Sequence, residues 1–404
     1  MQVNLDALTL QPSPTVAFAQ RVKRLLRDRP PGTLIDLCGG DAIVPVARDA
    51  RNAGMTFFSG SNDVVIPYPA NRGERKLVEQ CAWFLNRTTK LQYGWENLII
   101  TPGGKESVHL SLQAIAAACP GGEVVFPTPY WPSFRLLSLA VGLMPKPLRM
   151  APDGGIDLND LESKLSEKTC AVIINSPRNP DGYVFQEQEL DRIIAVAERK
   201  ATGCFYLADE VYQLNLYPLD GVRHTPLVTR VDPARCVSVM SFSKGFAMAG
   251  IRVGFAASHA TKLIDFMEAQ QSGTTSGASL PSQLIAASVL NEENLAFPGG
   301  LMARLLQFRN QILAWVRDTP YTVRPPDGSI YLSLGLGTVL DRTIGGRKVS
   351  SSRDFAEIAL ERGLAVMPND ASGDSSSVRL NLSQVEDEAY LERALSILSE
   401  LAKG

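Results

Sequence analysis

Four short segments of this 404-residue chain place chemically capable side chains where β-rich runs end. Ser241-Phe242-Ser243-Lys244 sets a lysine beside two hydroxyls, with Arg252 a short loop later. Asp209-Glu210-Val211-Tyr212 joins an acid to a phenol, and Asn175 to Gly182 offers amides in a proline-containing turn. Thr101-Pro102-Gly103-Gly104 is a glycine-rich turn that leads through Lys105 into a helical pattern. Glycines let the backbone approach an anion, and a helix N-terminus presents free N–H groups with positive dipole character. Gly104 and Lys105 therefore form a candidate phosphate cradle, which the Ser241 hydroxyl and the fork of Arg252 would complete through charge-assisted hydrogen bonds. An aromatic cofactor carrying both a phosphate and an aldehyde would use every group in this set.

The elements that must position these groups can be read from the apolar pattern. Between about Leu98 and Ser258, short β-rich runs alternate with helical ones, the signature of parallel strands joined by crossover helices. Strands are expected at Leu98-Ile99-Ile100, Glu123 to Phe126, Cys170 to Asn175, Cys204 to Asp209, Cys236 to Ser241 and Arg252 to Ala257, with helices over Gly104 to Cys119 and Gln186 to Lys200. The fold class is α/β, with a mostly parallel sheet covered by helices on both faces. Past about Phe297 the pattern becomes a mixture of helices and strands, which suits a smaller α+β domain. The expected division is an N-terminal segment 1–50 contributing to the small domain, a large domain 51–296 and a small C-terminal domain 297–404. Ligands in open α/β sheets bind beyond the carboxyl ends of the strands, so all four segments should meet on one rim.

Composition narrows the partners. Forty Lys and Arg against 42 Asp and Glu give a formal net charge of -2, so no broad basic field exists to draw in nucleic acid or anionic lipid. A small-molecule partner is expected, with no nucleic acid and no membrane. No apolar run is long enough for a bilayer, and Met1 to Pro14 lacks a basic region followed by an apolar core, so the chain reads as cytoplasmic. Six cysteines show no C-x-x-C pair, and His109, His224 and His259 are too dispersed for a metal or triad. Free buried thiols, structural histidines and no metal are expected. There is no internal repeat, and the loosest segment is Ala371 to Ser377.

On these motifs the chain resembles the class I/II aminotransferases, the fold-type I enzymes that use pyridoxal 5'-phosphate (PLP). The resemblance runs from about Ile35 to Leu382, most specifically at the segment from Ser241 to Gly254. It implies that Lys244 holds the cofactor as a Schiff base and that Ser241 and Arg252 hold its phosphate. The stretch Asn175 to Gly182 resembles the family's Asn-Pro-x-Asn-Pro-Thr-Gly turn, which puts Asn179 on the ring's 3'-oxygen. Asp209 and Tyr212 match its Asp-x-x-Tyr motif, implying a carboxylate on the ring nitrogen and a phenol on the same 3'-oxygen. Pro129 to Phe134 resembles the stretch whose aromatic stacks on the ring, and its two prolines select Trp131 over Tyr130. Tyr68, ahead of Gly73, stands where the family's tyrosine reaches the neighbouring subunit's phosphate, which implies a homodimer. Arg379 matches the arginine that grips the substrate's α-carboxylate, and Gly39 or Gly40 sits where a backbone N–H meets the same group.

Three positions depart from the family pattern: Asp181 where the turn usually has Thr, Ile251 before the arginine, and Asn369 in a loop expected to border the pocket. Taken singly, each motif also has a plainer reading. Lys244 could be a solvated charge, Asp209 a helix cap, Trp131 a core aromatic, Arg379 a salt-bridge partner, and Tyr68 rests only on its offset from Gly73. The expected activity is transfer of an amino group between an L-amino acid and a 2-oxo acid, with Lys244 as the base at Cα. A β-lyase, an oxidative deamination or a decarboxylation would use the same site. A regulator's PLP-sensing domain is the reading outside enzymes, and the roughly 35 residues before the match are too few for an ordinary DNA-binding domain. A dicarboxylate substrate would require a further cation, for which Arg135 and Arg178 lie near the motifs.

Overall fold

The computed structural model describes residues 14–30, 32–59 and 65–403. The reading of Met1 to Pro14 thus falls almost wholly outside the described residues. Strand β1 (Ile35–Asp36) precedes a seven-stranded sheet built from β2 (Leu98–Thr101), β3 (Glu123–Pro127), β4 (Met144–Leu148), β5 (Thr169–Asn175), β6 (Phe205–Asp209), β7 (Cys236–Ser241) and β8 (Gly254–Ala257), in the order β2-β8-β7-β6-β5-β3-β4. Only β8 runs against its neighbours. Every residue of β5 is buried, and its continuous apolar run is what a strand covered on both faces requires.

Helices fill both faces of that sheet. In helix Glu187–Lys200, buried Leu190, Ile193, Val196 and Ala197 form one stripe toward the sheet. Its acids Glu187 and Glu189 occupy the first turn and Arg199 and Lys200 the last, so its charges complement the helix dipole. Strand β4 was not expected, because Met144-Pro145-Lys146-Pro147-Leu148 contains two prolines. It lies at the sheet edge beside β3, where missing N–H donors cost no ladder bonds on the open side.

The remaining strands are β9 (Thr322–Val323), β10 (Tyr331–Gly335), the hairpin β11 (Thr343–Ile344) and β12 (Arg347–Lys348), then β13 (Leu364–Ala365), β14 (Met367–Pro368) and β15 (Ser377–Asn381). β14, β15, β10 and β9 form an antiparallel sheet, and β1 pairs with β13. One core unites Phe18 and Val22 of helix Pro14–Asp28 with Ile35, Leu305, Phe355 and Leu398. The N-terminal segment is therefore packed with the C-terminal one. In the β10–β15 register, Tyr331 faces Asn381 and Ser333 faces Arg379.

All six cysteines are free, five of them buried, and burial pushes the Cys38 and Cys170 thiols up to about 12. Among the described residues no helix is long and apolar enough to cross a membrane, and no group of His, Cys, Asp or Glu could hold a metal ion. The Ala371 to Ser377 stretch is ordered: Asp374 accepts from the Ser376 and Ser377 hydroxyls, and Ser377 opens β15.

Candidate active site

A cavity of about 590 Å³ opens at the carboxyl ends of the parallel strands, and residues from all four segments line it, including Gly104, Asn179, Asp209, Tyr212 and Lys244. Its floor is the end of β6. Asp209 is buried there, and its Oδ1 has no hydrogen-bond partner among the described residues. Burial, reinforced by the adjacent Glu210, pushes its carboxyl from 3.8 to about 7, against the pull of the Val211 amide and the Lys244 charge. An unpartnered acid so placed fits a cationic N–H donor such as a protonated pyridine nitrogen.

The candidate phosphate cradle is built on close backbone approach. Gly103 has φ +89°, and a Cβ there would strike the Arg252 guanidinium. A Cβ on Gly254 would lie 2.5 Å from the Gly104 nitrogen, and one on Gly104 would lie 3.2 Å from Ser241 Cβ. These glycines let the first turn of helix Gly104–Ala118, Ser241 and Arg252 crowd into one cup. Arg252 itself adopts a left-handed conformation and donates to the Ala249 carbonyl at 2.8 Å. The Ser241 hydroxyl accepts from the Ser243 amide at 3.1 Å, and Ser243, which the motif reading left unassigned, also lines the cavity. The groups needed for a phosphate are all present.

Trp131 lines the cavity, whereas Tyr130 packs edge-to-face on Phe126 with centroids 4.9 Å apart and is buried outside it. Lys105 extends over the Trp131 ring, its Nζ 5.2 Å from the centroid. Its side chain thus points into the cavity, while its backbone belongs to the cradle.

On the opposite wall, Arg379 donates to Asn179 Oδ1 and to the Cys38 carbonyl, each at 3.2 Å, and its Nε is buried without a partner among the described residues. Its guanidinium lies 4.1 Å from the centre of the Tyr331 ring. Gly40 presents its carbonyl, which accepts from Lys244 Nζ at 2.6 Å and from the Tyr331 hydroxyl at 2.9 Å. The expectation concerned the N–H of Gly39 or Gly40; the Gly39 N–H donates to Asp36 instead. Asn381 pins this segment by donating to the Gly39 and Asp41 carbonyls.

Tyr331 escaped the sequence reading, because Ile330-Tyr331 reads as an ordinary core strand. The one available signal was its place on β10, across from the strand that carries Arg379. Burial alone would raise its phenol, but the charges of Lys244 and Arg379 outweigh that and lower it below the ordinary tyrosine value. Tyr212 packs edge-to-face on it, with centroids 5.7 Å apart, and burial raises the Tyr212 phenol.

Other expectations resolve differently. Asn369 does not border the pocket; it is buried and donates to the Ser333 and Ser377 hydroxyls, bridging β10 and β15. Arg178 is not a spare cation. It is fully buried, donates from Nε to Asp181 at 2.8 Å and from Nη2 to Asp181 and the Gly154 carbonyl, and lies over the Tyr183 ring. Asp181, the departure from the usual Thr, is thereby accounted for: it is the counter-ion of Arg178. Arg135 is exposed and outside the cavity lining. Tyr68 is 90% exposed and does not line the cavity of its own chain.

A lysine at the edge of a phosphate cup, an unpartnered acid on the cavity floor and helices on both faces of a mostly parallel sheet define a fold-type I PLP-dependent enzyme. The chain belongs to the family described as aminotransferase class I and II, whose sequence model matches residues 33–398. Similar proteins carry the same activity in their names. An aspartate aminotransferase from Rhizobium meliloti is 29% identical over 378 residues, covering 90% of this chain and 86% of the relative. A bifunctional aspartate aminotransferase and glutamate/aspartate-prephenate aminotransferase from Petunia hybrida is 28% identical over 385 residues, 92% of this chain and 77% of the relative. The solved aspartate aminotransferase of Thermus thermophilus with maleate shares the fold with a TM-score of 0.87 at 24% identity, covering 99% of this chain and 100% of that one. The chain is accordingly a PLP-dependent aminotransferase.

Proposed function

We propose that this enzyme takes the amino group from a dicarboxylic L-amino acid of the aspartate type and passes it to a 2-oxo acid. Bound PLP supplies an aldehyde for the lysine and an electron-withdrawing ring that renders the substrate's Cα proton removable. The chain supplies the rest. The free Oδ1 of Asp209 receives the ring N–H, Asn179 and Tyr212 meet the ring oxygen, and Trp131 covers the ring. Ser241, Arg252 and the N–H groups of the Gly104–Lys105 turn take the phosphate. Arg379 takes the α-carboxylate with its planar fork. Lys244 acts as the base at Cα, and the Gly40 carbonyl accepts a hydrogen bond from the ammonium that it becomes.

The observation that carries the dicarboxylate is Lys105. Its ammonium enters the cavity and has no ion pair or hydrogen bond among the described residues, and burial, with Arg252 and Lys244 nearby, disfavours its charge. An incoming carboxylate relieves that cost. Lys23 also lines the cavity, and among the described residues Asp41 is the one acidic side chain in the lining besides Asp209. With Arg379 assigned to the α-carboxylate, Arg252 to the phosphate and Lys244 to the cofactor, Lys105 and Lys23 remain against Asp41 among the described residues. The names of the relatives, which act on aspartate, point the same way. Lys105→Met should raise KM for aspartate by about ten- to a hundred-fold, the worth of a charge-assisted hydrogen bond, and leave that for alanine unchanged. Equal effects on both amino acids would remove this reading.

The same proposal includes a homodimer. Met55, Phe58, Val65, Ile66 and Tyr68 are all more than half exposed, and the helix Arg48–Ser59 that carries two of them packs on helix Leu280–Val289, where Leu284 is also exposed. Exposed large apolar side chains gathered in this part of the chain suit an interface. A second copy covering it would bring Tyr68 to a neighbouring cavity.

A further inference from the structure

We propose that Tyr331 is a positioning residue that serves two nitrogen groups of the site with different parts of one side chain, its ring orienting the Arg379 guanidinium and its hydroxyl fixing the acceptor of the Lys244 amine. This rests on the assignment of Arg379 to the substrate's α-carboxylate.

The ring half follows from β-sheet register. Tyr331 and Ser333 share one face of β10, Arg379 and Asn381 share that face of β15, and Tyr331 stands opposite Asn381, so Arg379 is its diagonal neighbour. The guanidinium carbon lies 4.1 Å from the ring centre, a cation resting on the aromatic face. Nη1 and Nη2 are tied to Asn179 and Cys38, and Nε is buried with no partner among the described residues. The ring covers one face of the guanidinium, at right angles to its in-plane hydrogen bonds, and so holds its plane in one orientation. An aliphatic residue would fill the space without attracting the cation.

The hydroxyl half follows from a shared carbonyl. Tyr331 and Lys244 Nζ both donate to Gly40 O, at 2.9 and 2.6 Å. Gly40 lies at a bend a few residues after β1, which Asn381 ties down through the neighbouring Gly39 and Asp41 carbonyls. The phenol supplies the only hydrogen bond to Gly40 itself from outside the lysine among the described residues. Without it the carbonyl is free to turn, and the lysine amine loses the fixed acceptor against which it is held. Against the cost of burial, the charges of Lys244 and Arg379 and the hydrogen bond shared with Tyr212 lower this phenol below the ordinary tyrosine value. Its surroundings contain Tyr212 on the edge of the ring and the Asp41 carboxylate, which opposes that acidity.

Two variants separate the halves. Tyr331→Phe keeps the ring and removes the hydroxyl; Tyr331→Leu removes both. Calorimetric titration of the PLP-loaded proteins with succinate, a dicarboxylate without an amino group, reads the Arg379 half without turnover. Tyr331→Phe should bind succinate within about two-fold of wild type, while Tyr331→Leu should bind it roughly ten-fold more weakly, the loss of one buried cation–π contact. In steady-state assays Tyr331→Phe should lower kcat about five- to ten-fold with KM for the amino acid unchanged, the effect of one lost hydrogen bond at the lysine. Equal succinate affinity in Phe and Leu variants would overturn the ring half, and wild-type kcat in Tyr331→Phe would overturn the hydroxyl half. Circular dichroism melting of Tyr331→Leu guards against misfolding, and the Phe variant, nearly isosteric, carries the hydroxyl test in any case. If the wild-type protein itself binds no succinate, the assignment of the carboxylate site has failed rather than the role of Tyr331.

Discussion

Arg379 donates from Nη1 to the Oδ1 of Asn179 at 3.2 Å, joining two residues 200 positions apart in the chain. The group proposed for the substrate's α-carboxylate and the group proposed for the cofactor's ring oxygen are thus one hydrogen bond from each other. Cofactor side and substrate side form one polar network, and a change at either should be felt at both.

Asn179→Ala tests that link. It should weaken PLP binding and, by freeing Nη1 of Arg379, also weaken succinate binding, each by about ten-fold for the loss of a hydrogen bond to a charged group. Calorimetry with each ligand checks it. An effect on PLP alone would show that the contact with Arg379 contributes nothing.

Asp209 should make the cofactor-free protein pH-sensitive. Its carboxyl rises from 3.8 to about 7 on burial, so the folded chain binds that proton more tightly than the unfolded one. Stability is then lost as pH rises from about 4 to 7 and stays lost above, a contribution of up to roughly 4 kcal/mol. Asp209→Asn removes the penalty. Cofactor-free Asp209→Asn should melt above cofactor-free wild type at pH 8, with the gap closing toward pH 4. PLP should reverse the order at pH 8, because the ring nitrogen's proton then neutralises the carboxylate of the wild type. Melting curves at both pH values, with and without PLP, measure this.

Arg178 and Asp181 should matter for folding more than for substrate choice. Breaking a buried ion pair from one side leaves an uncompensated charge and costs about 3–5 kcal/mol. Arg178→Met should therefore lower Tm severely, and Asp181→Thr in the same chain should restore most of it. Denaturant titration of the single and double variants gives the coupling. Additive losses would mean that the pair is not the source of the effect.

The exposed apolar face gives a further expectation. Phe58→Glu places a charge among these exposed apolar side chains and should convert a dimer into monomers by sedimentation, with loss of phosphate-side affinity if Tyr68 completes the neighbouring site. A wild-type protein that sediments as a monomer would remove the interface altogether.

Much of the architecture was legible because the central strands are uninterrupted apolar runs: β5 and β7 are buried almost throughout, and burial on both faces leaves no alternation to misread. β4 was hidden by two prolines that only an edge position permits, and β1, β13 and β14 span two residues each, too few to show a period. In the site, the groups within one contiguous motif were legible. Lys244, Ser241 and Arg252 meet because a strand, a four-residue helix and a loop follow one another directly. Contacts set by pairing between strands were not. Tyr331 reaches Arg379 through register, the Gly40 carbonyl reaches Lys244 across 204 positions, and Asn369 turns inward because two serines on β10 and β15 await it.

The most direct test of the whole reading is borohydride reduction of the PLP-loaded protein, followed by proteolysis and mass spectrometry. The expected result is a single stable pyridoxyl mass increment on the peptide containing Lys244, absent from Lys244→Ala. A tag on a different lysine, or none in a protein that holds stoichiometric PLP, would contradict the assignment of Lys244.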